Sequence, residues 1–598
     1  MVLKKYLGIE IHEVDPPFLS QLGKVLLSEG YLKDSETIPE AFARAATAYC
    51  YGDYQLAQRI YTAVYNNHFM FATPVLSNAP VVSWCDGKQH IIKASNGLPI
   101  SCYAQDIPDT IEGQISAMQE LATLSVSGGG VGLHNSIRAT SKKAPGPIPY
   151  MKVLDSTIGY YKQSGNRRGA VAMYMDVSHP DIVEHIRFRQ PGGDTARRTD
   201  NRKQFHHAVN LTDGFIKAVV ENTTFDLVCP SKNIVYETVN ARSLWEEIME
   251  SRFLTGEPFL LKIDSANEKL PETQKQLGLK IKGSNLCSEI VLPTDDIRTF
   301  VCCLSSLNIE KYDEWKDTTL VADLVRYLDN VVEWFIDNCP EGMSKAKYSA
   351  KSERALGIGS FGLAAYLQKK GIAFESGGFN SSTQLNNIIY KRIKEDAVKA
   401  SRQIAVEKGE PMDMLGTGLR NSRLLAIAPN ASSASIANTS PSIEPWYRNC
   451  FVQETRVGAY EVRNHNLEVL LEQIGQNTDE VWQSIRDNNG SVQHLEFLDE
   501  EQKKIYRTAM EMDQHWLVEL ADIRGKYICQ AQSLNLFFPS GSERKYVNSV
   551  HLKYLSSENV LTLYYLRTEK EGKIAKASEV QRQALVDWSG GECKSCEG

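Results

Sequence analysis

The sequence predicts an α/β protein built round a mostly parallel sheet. Three observations carry that expectation. Short apolar runs of strand length recur, among them Phe225-Asp-Leu-Val-Cys229, Pro258-Phe-Leu-Leu-Lys262 and Ile290-Val-Leu-Pro293. Helical stretches lie between such runs, and Gly-rich turns punctuate them, which is the texture of alternating strands and helices. The 598 residues would fill roughly three to five average domains, or one large catalytic body with appendages.

The elements follow in order. The first seventy residues read as helical: Ser35-Glu-Thr-Ile-Pro39 supplies a start, and Leu56, Ile60 and Val64 recur on one face. Three later stretches are too rich in turn formers for ordinary elements. They are Ser127-Gly-Gly-Gly-Val-Gly132, Ser164-Gly-Asn-Arg-Arg-Gly169 and Ala428-Pro-Asn-Ala-Ser-Ser-Ala-Ser435. Beyond Thr568 the chain is charged and weakly apolar, then ends in Gly590-Gly-Glu-Cys-Lys-Ser-Cys-Glu-Gly598, the composition of a solvated arm.

Composition narrows the class. Hydrophobic residues at 42% and charged residues at 23% exclude wholesale disorder. A net charge of −7 disfavours a nucleic-acid-coating role, which shows a basic excess. No apolar run approaches membrane-spanning length, and Met1-Val-Leu-Lys-Lys-Tyr-Leu lacks the apolar core of a signal peptide, so a cytoplasmic protein without membrane contact is expected.

Twelve cysteines are too few for a disulfide scaffold, and most should be small buried hydrophobes. Cys593 and Cys596 resist that role, because a glycine-flanked chain end offers no core. Zinc would need four ligands, and no second pair stands nearby. A vicinal dithiol on an arm suits thiol–disulfide exchange with an internal partner. Candidates for that partner are Cys102, Cys287 and Cys302. In Ser284-Asn-Leu-Cys-Ser-Glu-Ile-Val-Leu-Pro293 a thiol at Cys287 is bracketed by the amide of Asn285 and the carboxylate of Glu289. Residues two apart project to one side of an extended or looped backbone, so all three can face one substrate. Taken alone, Cys287 reads more simply as a buried strand cysteine.

Together these segments resemble the large, catalytic subunit of class I ribonucleotide reductase, from Thr73 to the last residue. The motifs that carry the resemblance are Ala72-Thr-Pro-Val-Leu-Ser77, Ile100-Ser-Cys102 with Asp109, Asn285-Leu-Cys-Ser-Glu289, Cys302-x-Leu-Ser-Ser-Leu-Asn308, Pro429-Asn-Ala-Ser-Ser433, Leu563-Tyr-Tyr-Leu566 and the tail dithiol. The resemblance implies a ten-stranded α/β barrel of two five-stranded parallel halves. A central loop would carry Cys287, residues 1–72 would form a helical region, 73–568 the barrel and 569–598 a redox-active tail. Only 72 residues precede Thr73, so a short form without the family's N-terminal ATP-sensing module is expected.

The resemblance also assigns roles. Cys287 would be the thiyl radical that abstracts the 3′ hydrogen of a ribonucleotide, Glu289 the base for the 3′ hydroxyl and Asn285 an orienting contact. Cys102 and Cys302 would supply two electrons, and Cys593 with Cys596 would reduce the resulting disulfide. Tyr564 and Tyr565 would relay the radical from a separate small subunit that carries the metal, leaving no metal or bound cofactor in this chain. Thr73, Ser101, Gly130, Ala431, Ser432 and Ser433 match substrate-contacting positions, with Ala431 where a Glu is common. Asp109, Arg138 and Arg168 match contacts to an ATP or deoxynucleotide effector and to the substrate base. Implied partners are the small subunit, thioredoxin or glutaredoxin, ribonucleoside diphosphates and a second copy of the chain. Two alternatives stay open: a cobalamin-dependent reductase, and an inactive nucleotide-binding regulator on the same scaffold.

Overall fold

A computed structural model describes residues 3–33, 35–85, 88–95, 97–161, 169–190, 205–455 and 457–568. Arg168, Cys593 and Cys596 lie outside the described residues.

Five strands run parallel in the order Cys102–Ile107, Gly130–Asn135, Ala170–Asp176, Phe205–Leu211 and Phe259–Lys262. They are buried at nearly every position, as strands covered on both faces must be. Helices Ile111–Val126, Pro147–Tyr160, Ile182–Ile186, Asp213–Glu221 and Ile263–Glu268 follow them in turn. A second parallel set starts with Phe300–Asn308 beside Leu356–Phe361. It continues through parallel bridges from Ile358 to Leu425 and from Ile427 to Gln532, and ends where Leu536–Phe538 pairs with Leu566–Thr568.

The two sets meet at antiparallel seams. At one, Phe300, Val301 and Cys302 face Ala104, Tyr103 and Cys102. At the other, Leu260 and Leu261 face Leu563 and Thr562. The seams close the sheet into the expected barrel of two parallel halves.

The N-terminal region caps this barrel. Helix Ile38–Ala48 starts at a reciprocal capping box of Thr37 and Glu40, and helix Tyr54–Tyr65 buries Leu56, Ile60 and Val64 completely. Leu3–Tyr6 and Ile9–His12 add a hairpin to the region that the sequence predicts to be helical. Its alternation places Ile9 and Ile11 inward while the intervening Glu10 is exposed, a strand pattern too short to stand out in the sequence.

Two of the three apolar runs read as strands fall elsewhere. Thr224–Cys229 pairs only with Ile234–Asn240, as an outlying hairpin. Residues 290–293 belong to no strand: they are part of a loop that runs through the barrel, apolar because it is buried rather than because it pairs in a sheet. The glycine run at 127–132 is a turn only in its first half, and Gly130 and Gly132 open a barrel strand. Gly132 is required there by contact. A methyl on it would lie 1.7 Å from the carbonyl oxygen of Ser284 in the central loop. Gly132→Ala is therefore expected to displace that loop, lower stability by about 1–3 kcal/mol through overpacking and remove turnover. A thermal melt beside an activity assay checks both. Among the described residues no helix is long and apolar enough to cross a membrane.

Candidate active site

The central loop is held by side chains instead of a strand ladder. Asn285 Oδ1 accepts from the backbone N–H groups of Glu289 and Ile290, both at 3.1 Å, and folds the segment into a tight turn. From the barrel wall, the Tyr174 hydroxyl lies 2.8 Å from the carbonyl of Asn285 and 2.8 Å from Ser288 Oγ. Ser533 Oγ donates to the Cys287 carbonyl at 2.5 Å and to Glu289 Oε2 at 3.1 Å. The Ala531 N–H donates to the Glu289 carbonyl at 2.9 Å. Ser288 adopts φ of 66°, a left-handed conformation uncommon for a residue with a Cβ, so the backbone between Cys287 and Glu289 is strained and held by these contacts. Asn285, Cys287 and Glu289 are all buried, and the Asn285 Nδ2 group has no partner among the described residues. That leaves a donor for a ligand oxygen.

Beside this loop, Cys102 and Cys302 face each other directly across the antiparallel seam. Such neighbours have Cα atoms about 4.5–5.5 Å apart, within the range a disulfide spans; both thiols are free. Cys102 Sγ is 3.9 Å from Glu289 Oε1, and Gln530 Nε2 donates to Cys302 Sγ at 3.5 Å. Burial holds the Cys302 thiol well above its usual pKa, in the protonated state that can give up hydrogen. The thiol of Cys303, the next residue, is likewise raised by burial, but Cys303 lies outside the opposed pair.

Strand alternation puts Ser306 on the same face of Phe300–Asn308 as Cys302. Its hydroxyl donates to Asn430 Oδ1 at 2.8 Å, and Asn430 Nδ2 donates to the carbonyls of Ser360 and Ala428 at 3.0 Å each. Asn430, left-handed at φ 53°, immediately precedes helix Ala431–Ala437, whose first turn holds Ala431, Ser432 and Ser433 and has no side-chain cap. Leading N–H groups of such a turn suit phosphate oxygens. Thr73 heads helix Thr73–Ser77 and bonds Tyr31 at 2.9 Å, while helix Gln21–Gly30 packs Gly23 against the carbonyl of Ile436. Ser101 and Gly130 adjoin Cys102, with the Gly130 N–H donating to the Ser101 carbonyl at 2.8 Å.

Asp109 and Arg138 lie together at the outer end of these strands. Arg138 Nε donates to Asp109 Oδ2 at 2.8 Å, with the arginine half exposed. A partly buried charge cluster joins their segments to the central loop. Lys282 Nζ is 2.5 Å from Asp106 Oδ2, Asp106 Oδ1 is 2.8 Å from His134 Nδ1, and His134 Nε2 is 3.5 Å from Asp176. Burial alone would lower the His134 pKa, but Asp176 and Asp106 outweigh it and raise the imidazole to about 9.

The tyrosines stand at the other seam. Adjacent strand residues point to opposite faces, yet the regular ladder breaks at Tyr564 and Tyr565, between Thr562–Leu563 and Leu566–Thr568. The Tyr564 N–H donates to the Leu534 carbonyl at 2.8 Å and the Leu536 N–H to the Tyr565 carbonyl at 3.0 Å, while the Tyr565 N–H turns to a side chain. Both rings therefore lie together, buried, with centroids 4.2 Å apart. The positions that sequence reasoning missed, Tyr174, Gln530 and Ser533, belong to no motif; only the folded loop connects them to Cys287.

The sequence matches the family models of the ribonucleotide reductase barrel domain over residues 100–417 and 412–566 and of the ribonucleotide reductase all-alpha domain over 17–83. A protein of Frog virus 3 (isolate Goorha) is 42% identical over 586 residues, 97% of this chain and 99% of its own length. The ribonucleoside-diphosphate reductase large subunit of Invertebrate iridescent virus 3 is 36% identical over 650 residues, 99% of this chain and all of its own length. The Actinobacillus ureae class Id ribonucleotide reductase alpha subunit superposes with a TM-score of 0.80 at 30% identity, covering 94% of this chain and 99% of that one.

Proposed function

The chain belongs to the ribonucleotide reductase large-subunit family, and from that premise we propose that it reduces ribonucleoside diphosphates to 2′-deoxyribonucleotides at the central loop, using a radical supplied by a separate small subunit. The observation that carries this reading is that the loop bearing Cys287 meets, through its Glu289, the opposed pair Cys102 and Cys302 on the seam.

Each group has a task its chemistry fits. Cys287, as a thiyl radical, removes the 3′ hydrogen, a step no closed-shell side chain performs. Glu289 takes the 3′-hydroxyl proton, and the 2′ oxygen departs as water. Cys102 and Cys302 give two hydrogens in all and end as a disulfide, so ribonucleotide and two thiols become deoxyribonucleotide, disulfide and water. Cys287 then regains the hydrogen it removed. Asn285 Nδ2 orients the substrate, while Thr73, Ser101, Gly130 and the turn Ala431 to Ser433 hold it, the phosphates at that turn. Asp109 and Arg138 form the effector site, with Arg168 reading the substrate base, and the cluster of Lys282, Asp106 and His134 lies between effector and loop.

Two copies pair beside the effector site. Helices Ile111–Val126 and Pro147–Tyr160 expose Ile111, Ile115, Val126, Val153 and Tyr160, an apolar face on the surface. The tail dithiol Cys593 and Cys596 carries electrons from a thioredoxin or glutaredoxin to Cys102 and Cys302. The direct test is product formation with a radical-generating subunit and no cobalamin. Activity that requires adenosylcobalamin and no second protein would overturn the class, and no activity in either arm would leave a regulator.

The tail gives a separate expectation. Cys593→Ser combined with Cys596→Ser stops multiple turnover driven by thioredoxin, and a small dithiol that diffuses into the barrel restores it. Equal loss with both reductants would make the pair structural.

A further inference from the structure

A relay through Tyr564 and Tyr565 works only while the two rings touch, and regular strand alternation would put them on opposite faces. A β-bulge prevents that. The Tyr564 N–H bonds the Leu534 carbonyl and the Leu536 N–H bonds the Tyr565 carbonyl, so two tyrosines stand opposite the single residue Asn535. The peptide group inside the bulge consists of the Tyr564 carbonyl and the Tyr565 N–H, and its two ends go to side chains. Arg252 Nη2 donates to the Tyr564 carbonyl at 3.2 Å, and Asn535 Oδ1 accepts from the Tyr565 N–H at 3.1 Å. Both side chains are buried.

We propose that Asn535 and Arg252 are the positioning residues of the tyrosine relay: they clamp the Tyr564–Tyr565 peptide at both ends and hold the bulge that brings the rings together. The proposal rests on the reading of these tyrosines as a relay. Neither residue carries an electron or a proton; each acts through the backbone. A strand that relaxed to one-to-one pairing would turn one ring to the opposite face and break the path between the phenols.

Each arm of the clamp is itself fixed. Asn535 Nδ2 donates to Glu444 Oε1 at 2.8 Å, which orients the amide with its oxygen toward Tyr565. Burial raises the Glu444 carboxyl to about 7, and the amide needs only an oxygen lone pair, so the contact does not depend on the carboxyl's charge. Arg252 stands on helix Ala241–Thr255, donates to the Pro258 carbonyl, and has Nε 3.2 Å from His551 Nε2. His551 Nδ1 lies 2.8 Å from the Val547 carbonyl, so that nitrogen holds the proton and Nε2 accepts from the arginine. Burial brings Arg252 down to about 10, which leaves it charged at neutral pH. Phe259 packs on both tyrosine rings, and the Tyr565 hydroxyl lies 3.2 Å from His206 Nδ1.

The test uses the full chain assembled with its radical subunit, with 3-aminotyrosine at position 564 or 565. That analogue is oxidised more easily than tyrosine, so it traps the radical where it arrives and shows it by electron paramagnetic resonance. Asn535→Leu keeps a branched side chain and removes the acceptor. Its turnover is expected to fall about a hundredfold, the cost of a misplacement of about 1 Å, with nucleotide affinity unchanged. The trapped signal should persist at 565 and vanish at 564. Asn535→Asp combined with Glu444→Gln reverses the buried pair: the carboxylate at 535 still accepts from the Tyr565 N–H, and the amide at 444 donates to it. This double variant should restore both turnover and the signal at 564. Arg252→Met is expected to lose the 564 signal in the same way, and it carries the test if Asn535→Leu does not fold. A 564 signal of wild-type strength in the variant tested overturns the proposal, as does a loss in Asn535→Leu that the reversed pair leaves unrepaired. Absence of a trapped signal at 565 in the otherwise unchanged chain would instead remove the relay reading, a separate result from either.

Discussion

Cys287→Ser is expected to abolish deoxynucleotide formation altogether while ribonucleotide still binds. Serine keeps the shape of the side chain, and the loop's anchors engage other atoms: Asn285 Oδ1, the Cys287 carbonyl and Ser288 Oγ. The O–H bond is much stronger than S–H, so an oxygen radical at this position would not form from the incoming radical. Burying a hydroxyl where a thiol packed costs about 1–3 kcal/mol at most, too little to unfold a body of this size. Measured turnover in the variant, with binding verified by equilibrium titration, would remove the central assignment.

Tyr564→Phe and Tyr565→Phe should each eliminate turnover with equal completeness, though neither residue is placed at the reacting atoms of the substrate. Phenylalanine preserves the ring contacts of the pair with each other and with Phe259, at 4.2, 4.6 and 4.9 Å between centroids. What it lacks is the oxidisable O–H. For Tyr565 the lost contact to His206 is worth about 1 kcal/mol, so melting and nucleotide affinity should stay near wild type while product falls below detection. A radical-independent readout, reduction of the Cys102–Cys302 disulfide by a small dithiol, should be untouched. Activity in both variants would return the tyrosines to simple packing.

The chemistry was more legible in the sequence than the geometry that makes it work. Cys102, Cys302, Cys287 and Glu289 stand in motifs whose residue types are those the proposed reaction needs. The α/β class showed in the alternation of runs and turns, and helix Tyr54–Tyr65 in its periodicity. The central loop did not show. Residues 290–293 are as apolar as a buried strand, since burial selects for apolar side chains whether or not the backbone pairs. The Val291 N–H is satisfied by the side-chain oxygen of Gln530, 239 positions away, and the carbonyl of the preceding Glu289 by the Ala531 N–H, and no local pattern encodes such partners. The tyrosine pair misleads in the opposite direction. Alternation along a strand would separate the rings, and the interruption of the regular ladder after Leu563, where backbone bonds to Leu534 and Leu536 continue out of register, lets them lie together. Asn535 holds that interruption, its Oδ1 accepting from the Tyr565 N–H at 3.1 Å.

The two antiparallel seams have a consequence for electrical insulation. In the proposed mechanism a strong one-electron oxidant and a two-electron reductant both work within this barrel, and direct contact between them would discharge the radical uselessly. Building the barrel from two parallel halves creates two junctions on opposite sides. The cysteine pair occupies one junction, where Cys302 faces Cys102, and the tyrosines follow directly from the other, where Leu260 faces Leu563. Under the proposed roles, current from the reductant and current from the radical would enter at separate terminals, and the threaded loop with Cys287 would be the switch between them. Moving the dithiol to the Leu260–Leu563 junction would keep every reactive group and still short-circuit the enzyme.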